Sequence, residues 1–163
     1  MVRIKRVYDP PAPEDGHRVL VDRLWPRGLR KETAQLEAWM KELAPSDDLR
    51  RWFGHDPRRF AEFRRRYLEE LRMEPALSQL AGLTQHASHE TVTLVFAAKD
   101  LLHNNAVVLA DEIQRRLRAA TRARTSARPP VRARPRSSRS TQPRRATAPQ
   151  PRPNRSARSA RSG

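Results

Sequence analysis

The sequence TVTLVFAA at residues 91–98 decides the fold, because its β-branched and apolar residues follow one another without interruption. A strand with apolar side chains on both faces is typical of a parallel sheet that helices cover on two sides. A second such stretch, RVLVDRL at residues 18–24, contains a continuous aliphatic run at residues 19–21 and predicts another central strand. Residues 2–8 alternate apolar and basic side chains at their start, which predicts an edge or half-exposed strand.

A turn-rich connection is predicted at residues 10–16, and most of the remaining residues up to 118 have helical patterns. Five helices are predicted from their start signals, which are Thr33, Ser46, Asp56, Pro75 and about Ala106. The apolar face of the first helix consists of Leu36, Trp39, Met40 and Leu43. Gly54 is suited to the end of the second helix. The fourth helix is predicted to be short, and the last helix is predicted to end near Arg118.

Strands interleaved with helices predict an α/β domain over residues 1–118, with a small, largely parallel β-sheet covered by helices. A domain of this length can bury enough surface for one independent core. The link between the first two strands is short, which leaves an antiparallel arrangement of that pair as the alternative. The order of the strands and the oligomeric state stay open.

The positive charge of the chain is concentrated at one end. The formal net charge is +16, but residues 119–163 contain 13 Arg and no acidic residue. Residues 1–118 contain the other 21 basic residues and 18 acidic ones, so their formal net charge is only about +3. The segment 119–163 also lacks aromatic residues and contains seven Pro, which predicts a disordered tail.

Such a basic tail favours non-specific binding of nucleic acid or another polyanion, whose phosphates or other anionic groups its arginines would contact. Two alternatives compete with that function. The tail is either a solvated extension without a specific partner, or a translated stretch beyond the ancestral end of the gene.

Several kinds of site are not expected. The chain contains no Cys, which excludes disulfides, thiolate nucleophiles and Cys-based zinc sites. It lacks the glycine-rich nucleotide motifs and the common hydrolase motifs, so no cofactor is expected. His86 and His89 lie three residues apart without an evident third ligand, so no metal is expected either. Without a signal peptide or an apolar span of ~18 residues, a cytoplasmic protein without membrane contact is expected.

Polar residues follow both central strands. Arg23, Trp25 and Arg27 come after the first, and Lys99 and Asp100 come after the second, shortly before His103 and Asn104. The carboxyl ends of parallel strands meet at one edge of a sheet, where ligands bind in open α/β folds. Arginine, lysine and a helix start together favour a phosphate or carboxylate.

Structural roles compete with this anion site. Asp22 and Arg23 can pair with each other or with Lys99 in an ion-pair network, and Trp25 can be a core or lid residue rather than a stacking surface. Asp100 and Asn104 both have the properties of N-cap residues. His55, in the stretch WFGHDP at residues 52–57, is the only residue there without an evident structural role.

Three stretches resemble the YeaO-like bacterial proteins, which belong to a larger domain family of unknown function. They are VDRLWPRG at residues 21–28 with Lys31 after it, KELAPSDDLRRWFGHDP at residues 41–57, and AAKDLLHNNAVVL at residues 97–109. The resemblance covers residues 3–118 and not the tail. It implies an α/β fold with a parallel sheet, and no established activity. The matching motif positions include Asp22, Arg23, Trp25, Arg27, His55, Lys99, Asp100, His103 and Asn104.

Two functions are therefore expected. In the first, a small enzyme holds an anionic small molecule or nucleotide with Arg23, Arg27 and Lys99. The candidate substrate contacts also include Trp25 and Asn104, and the candidate proton-transfer groups are His103, Asp100 and His55. In the second, a non-enzymatic module is anchored to nucleic acid by its basic tail, and the pocket at the strand ends senses a ligand or docks a partner.

Overall fold

A computed structural model describes residues 1–126, and the predicted tail beyond residue 126 lies outside the described residues. The elements are β1 (Val2–Arg6), β2 (His17–Leu20), α1 (Lys31–Ala34), β3 (Ala38–Trp39), α2 (Asp47–Phe53), α3 (Phe60–Glu70), α4 (Ala76–Ala87), β4 (Val92–Phe96) and α5 (Asn105–Ser126). Short 3-10 turns lie at Pro13–Asp15, Lys41–Leu43 and Pro57–Arg59. Within residues 1–126, no helix combines the length and the apolar composition of a membrane-crossing segment.

The four strands form one parallel sheet in the order β1-β4-β2-β3. This confirms the predicted α/β class and its parallel sheet. Every residue of β4 is buried, and β4 lies between β1 and β2 because its side chains are apolar on both faces. The antiparallel alternative for β1 and β2 is wrong, since each strand pairs in parallel with β4 on a different side.

The pairing of β2 with β4 extends from His17 opposite Val92 to Leu20 opposite Val95. A hydrogen bond continues it at each end. The His17 N–H donates to the Thr91 carbonyl at 2.9 Å, and the Val21 N–H donates to the Val95 carbonyl at 3.0 Å. The chain segments that leave both strands therefore emerge side by side at the carboxyl edge of the sheet.

The first predicted helix is wrong. Helix α1 has four residues and ends at Gln35, whose φ is 45°, and the chain then forms the edge strand β3. The N–H groups of Glu37 and Met40 each donate at 2.9 Å to β2 carbonyls, at Arg18 and Leu20 respectively. Without β3, one side of β2 would keep unpaired backbone groups, so pairing of the sheet prevails over the helical spacing of the apolar residues.

The other predicted helices form. Helix α2 begins after Ser46, whose Oγ accepts the Leu49 N–H at 3.2 Å, and ends at Gly54, whose φ is 54°. Asp56 caps the next turn by accepting the Arg58 N–H at 3.0 Å. Helix α4 has 12 residues and is longer than expected.

Helix α5 continues eight residues past its predicted end, from Ala119 to Ser126. The prediction that the tail is disordered from residue 119 is therefore wrong for these eight residues. Alanine and arginine are strong helix formers, and the sequence contains no proline between Pro75 and Pro129. The hydroxyl groups of Thr121 and Thr125 donate at 3.0 Å to the carbonyls four residues earlier, so they do not compete with the helical backbone.

Asp15 anchors the connection between β1 and β2. Its side chain is buried and accepts hydrogen bonds from Lys5 Nζ at 3.0 Å, Arg18 Nη1 at 2.5 Å and the Ala12 N–H at 3.1 Å. Its backbone carbonyl accepts the Thr93 hydroxyl at 2.6 Å. These contacts join β1, β2 and β4 at one buried residue.

Gly16 makes this connection possible. Its φ is 59°, and a Cβ there would lie 2.3 Å from the Thr91 carbonyl oxygen, well inside van der Waals contact. Only glycine allows the chain to approach the start of β4 so closely.

Replacing Asp15 tests this anchor. Asp15→Asn leaves the buried Arg18 guanidinium without its counter-charge, so we expect a loss of about 3 kcal/mol in the free energy of unfolding. Burial raises the pKa of Asp15, but the hydrogen bonds from Lys5, the Ala12 N–H and Arg18 outweigh it and lower the pKa overall. The carboxylate thus stabilises the fold above the pKa of an unfolded Asp, and the effect is lost as the pH falls through the folded pKa.

Urea unfolding at pH 7 and at acidic pH measures both effects. The exposed Asp9→Asn variant is the matched control and should stay within about 0.5 kcal/mol of the wild type. Equal stability of the two variants would contradict the role of Asp15.

Candidate functional site

A cavity of about 270 Å³ lies at the carboxyl ends of β2 and β4, and we call it the strand-end cavity. Its polar wall consists of Asp22, Arg23, Arg50, His55, Asn104 and Asn105. Its apolar wall includes Trp25, Phe53 and Phe63, together with prolines, alanines and a leucine. The expectation that the two central strands bring their carboxyl ends together is confirmed.

Asp22 lies between the two strand ends. Its Oδ2 accepts the Ala97 N–H at 2.7 Å, across the edge of the sheet. Asn105 Nδ2 lies 3.4 Å from Asp22 Oδ1 and donates at 2.8 Å to the Val21 carbonyl. The Asp22 carboxyl is therefore held in place by backbone and by the first residue of α5.

The pKa of Asp22 is raised above the ordinary range of an aspartate. Burial raises it, and this effect exceeds the opposing effects of the hydrogen bonds from Ala97 and Asn105 and of the charges on His55 and Arg50. A carboxyl with a raised pKa beside two basic side chains in a cavity is typical of functional sites.

Arg50 and His55 supply the basic side of the cavity. Arg50 Nη2 donates to Asp47 at 3.0 Å, while its Nε is buried and has no hydrogen-bond partner within residues 1–126. His55 has a φ of 59°, a conformation in which non-glycine residues are uncommon, and follows Gly54 in the turn that ends α2. The turn places the imidazole 5.9 Å from the Phe53 ring, centroid to centroid.

Arg23 and Trp25 line the cavity and also contact the surrounding loops. Arg23 Nη1 lies 3.4 Å from Glu42 Oε2. The expected ion-pair network of Asp22 with Arg23 and Lys99 does not form among residues 1–126. The Trp25 indole N–H donates to the Leu29 carbonyl at 2.8 Å, and its ring packs edge-on against Trp39 at 5.5 Å. Trp25 is thus both a wall of the cavity and a support for its own loop.

Four predicted site residues are not part of the cavity wall: Arg27, Lys99, Asp100 and His103. Arg27 and Lys99 are exposed. Asp100 accepts the N–H groups of Leu102 and His103 at 2.8 and 3.0 Å, and these hydrogen bonds lower its pKa. Its other oxygen lies 2.8 Å from His103 Nδ1, while the His103 ring packs edge-on against Phe60.

Asn104 is the N-cap of α5, which is the structural role that its residue type predicted. It is buried, its Oδ1 accepts the Val107 N–H at 3.0 Å, and its Nδ2 donates to the Asp100 carbonyl at 2.8 Å. The structure therefore brings together Arg23, Trp25, His55 and Asn104 from the predicted set. It adds Asp22, Arg50 and Asn105, which sequence reasoning did not assign to the site.

Comparison with known proteins identifies relatives over most of the chain. A family model described as "Inactive DUF488-N3 subclade" matches residues 1–133. The uncharacterised protein Rv3073c of Mycobacterium tuberculosis is 47% identical over 109 residues, which are 67% of this chain and 90% of the relative. The uncharacterised protein YeaO of Escherichia coli is 44% identical over 111 residues, 68% of this chain and 94% of the relative. No solved structure matches the chain.

The link between Arg50 and Asp22 is testable by titration. Arg50→Met removes a positive charge that favours the Asp22 carboxylate, so the pKa of Asp22 should rise further. Carboxyl carbon NMR of Asp22 measures the midpoint directly. Arg51→Met is the matched control, because Arg51 is the next residue of α2, is exposed and pairs with Asp48. Equal midpoints in the two variants would contradict the placement of Arg50 beside Asp22.

Proposed function

The chain belongs to the DUF488-N3i family of YeaO-like bacterial proteins, and on that premise we propose that it binds a small anionic molecule in the strand-end cavity. The observation that carries this proposal is the presence of Asp22 and Arg50 in the wall of one cavity. The carboxyl has a raised pKa, and the guanidinium has a buried Nε without a partner within residues 1–126.

The charges of the cavity favour a ligand with a carboxylate or phosphate group. Arg50, His55 and Arg23 supply guanidinium and imidazole donors to one wall. A guanidinium binds such anions through two parallel hydrogen bonds, which point charges cannot do. Arg50 takes the role that sequence reasoning assigned to Arg27 and Lys99.

The rest of the wall favours a flat ring attached to that anion. Phe53, Phe63 and Trp25 offer aromatic surfaces, and Asp22 is placed to exchange a hydrogen bond with a ring N–H or hydroxyl. The volume of about 270 Å³ lies near the lower end of the range for small-molecule pockets, roughly 300–1,000 Å³. An aromatic carboxylic acid or a nucleobase would fill it, and the phosphate of a nucleotide would reach the basic side.

Binding without turnover is the form of this function that we favour. The family model that matches the chain is described as inactive. The proton-transfer candidates His103 and Asp100 pair with each other beyond the cavity wall. The cytoplasmic location expected from the sequence stays a prediction.

A thermal-shift screen of the full chain against carboxylates, phosphates and nucleoside monophosphates tests the proposal. We expect at least one class of compound to raise the melting temperature. Arg50→Met should lower the affinity for that ligand by about 10- to 100-fold, the usual cost of removing a charge-assisted hydrogen bond. Arg51→Met should bind like the wild type. The proposal is wrong if no compound stabilises the chain. It is also wrong if both variants bind the ligand equally well, because that result would indicate that the basic tail holds the anion.

A second candidate function is supported by a basic surface on α3 and α5. Five arginines line an open groove there, which we call the arginine groove: Arg64, Arg72, Arg115, Arg118 and Arg122. Asp111 and Glu112 pair with Arg64 and Arg115, whereas Arg72 and Arg122 have no ion-pair partner within residues 1–126. Arg118 and Arg122 lie one turn apart on α5, as residues four positions apart do.

We propose that the arginine groove binds the phosphate backbone of double-stranded DNA together with the basic segment that follows it. The sequence after Ser126 adds 11 arginines, directly beyond the end of α5. Clustered positive charges on α5 and in the sequence that follows it favour a polyanion without sequence preference.

DNA binding measured over a range of salt concentrations tests this candidate. Arg72→Ala/Arg122→Ala should weaken duplex binding by the full chain and reduce the salt slope by about 1 for each phosphate that the variant no longer neutralises. Arg3→Ala/Arg30→Ala is the matched control, since both residues lie outside the groove. If the two double variants bind alike, the groove is not part of the interface.

A further inference from the structure

A cluster of histidines and glutamates lies at the opposite edge of the sheet, where the strands begin. We call it the histidine cluster, and its members are His17, His86, Glu90 and Glu37. His17 is the first residue of β2, Glu90 lies two residues before β4, and His86 lies in the last turn of α4. Glu37 immediately precedes β3. None of these residues belongs to the strand-end cavity.

The side chains converge on one point. One ligand atom each from His17, His86 and Glu90 lies within 4.8 Å of the others. His17 Nε2 contacts Glu90 Oε2 directly, and His86 Nε2 lies 3.5 Å from the same oxygen. The rings of His17 and His86 meet edge-on, with centroids 4.2 Å apart.

The backbone holds this arrangement in place. The His17 N–H donates to the Thr91 carbonyl at 2.9 Å, which fixes the start of β2 beside the chain that carries Glu90. The Glu90 N–H donates to the His86 carbonyl at 3.1 Å, so both residues belong to one hydrogen-bonded turn at the end of α4. The three ligand atoms therefore come from segments whose positions the sheet and the helix already determine.

We propose that His17, His86 and Glu90 form a binding site for a zinc ion. Two imidazole nitrogens and one carboxylate oxygen are a ligand set that Zn²⁺ takes in proteins, with water in the fourth position. In a tetrahedral site with bonds of about 2.1 Å, ligand atoms lie roughly 3.4 Å apart, close to the separation of His86 Nε2 and Glu90 Oε2. The ion would come between His17 Nε2 and Glu90 Oε2, whose direct contact would open to admit it.

Glu37 is the positioning residue of this site. Its Oε2 contacts His17 Nδ1, the imidazole nitrogen opposite to the one that faces Glu90. A metal-binding histidine usually donates its second N–H to a carboxylate, which sets the tautomer and the ring orientation and makes the ligand nitrogen more basic.

The site is open to solvent and links distant parts of the chain. The side chains of His17, His86 and Glu90 are 29%, 43% and 57% exposed, so an ion enters without a change in the fold. Bound zinc would tie the start of β2 to the end of α4 and the entry to β4. Because the folded chain alone assembles this ligand set, zinc should raise the melting temperature as its free concentration increases.

Sequence reasoning missed this group because it compared His86 with its neighbour His89. His89 lies near His86 on the surface but is not one of the converging ligands. The third and fourth members, His17 and Glu37, are 69 and 49 residues away from His86 along the chain. Only the pairing of β2 with β4 and β3 brings them together.

Zinc titration of the untagged full chain tests the proposal. The protein is stripped with a chelator and titrated with Zn²⁺ against a chromophoric competitor, with Mg²⁺ as the control ion. We expect one zinc per chain, and a loss of at least about 10-fold in affinity for His86→Ala and for Glu90→Gln. His89→Ala should keep the wild-type affinity. All three residues are exposed, and melting of the metal-free variants confirms that each is folded.

Two results would overturn the site. One is the absence of stoichiometric zinc binding, which would make the cluster a hydrogen-bonded surface network. The other is an equal loss in His86→Ala and His89→Ala, which would indicate binding by scattered histidines. Substitution of Co²⁺ adds an independent readout, because a tetrahedral site has a strong visible absorption that His86→Ala should abolish.

Glu37→Gln tests the positioning role separately. Loss of an outer carboxylate typically weakens metal affinity by about 10- to 100-fold. Melting of the metal-free variant checks its fold separately. An unchanged zinc affinity in this variant would show that Glu37 only forms a surface contact with His17.

Discussion

The parallel pairing of β2 with β4 is the contact on which both edges of the sheet depend. Because His17 lies opposite Val92 and Leu20 lies opposite Val95, the residues just outside these pairs are placed as well. At one edge, Asp22 reaches the Ala97 N–H, and at the other, His17 reaches Glu90. A shift of one residue would reverse the faces of every side chain in β2 and separate both sets of partners.

The central strands and the half-exposed edge strand β1 were predictable from the sequence, and the opposite edge strand β3 was not. The continuous apolar residues of β4 leave no alternative to a central strand, and Ser46 and Gly54 mark the two ends of α2 by their own backbone chemistry. The segment around Ala38 and Trp39 satisfies helical spacing equally well. It becomes a strand because β2 has an open side, and that is a property of the assembled sheet rather than of the segment.

The candidate sites show the same limit. The motifs after the two central strands correctly indicated the edge at which the cavity lies, since strand direction alone determines it. They did not reveal Arg50, because an arginine in a helix with several other charges has no distinguishing local pattern. Asp100 and His103, in contrast, contact each other and lie outside the cavity wall, whereas Asn104 lines the cavity and also caps α5.

Two aspartates of this domain, the buried Asp15 and the half-buried Asp22, differ in the sign of their effect on stability. Asp15 has Lys5 and Arg18 within hydrogen-bond distance, its pKa is lowered, and its charge stabilises the fold at neutral pH. Asp22 accepts its hydrogen bonds from neutral groups, and its pKa is raised. Its contribution to stability is therefore greatest at low pH and declines as the pH rises through the folded pKa, so the ionised form opposes folding. The same carboxyl accepts the Ala97 N–H across the sheet edge, so the cost of its ionisation is set against a backbone contact that it maintains. Under the proposed function, a ligand that offers a hydrogen-bond donor to Asp22 and an anion to Arg50 would offset that cost.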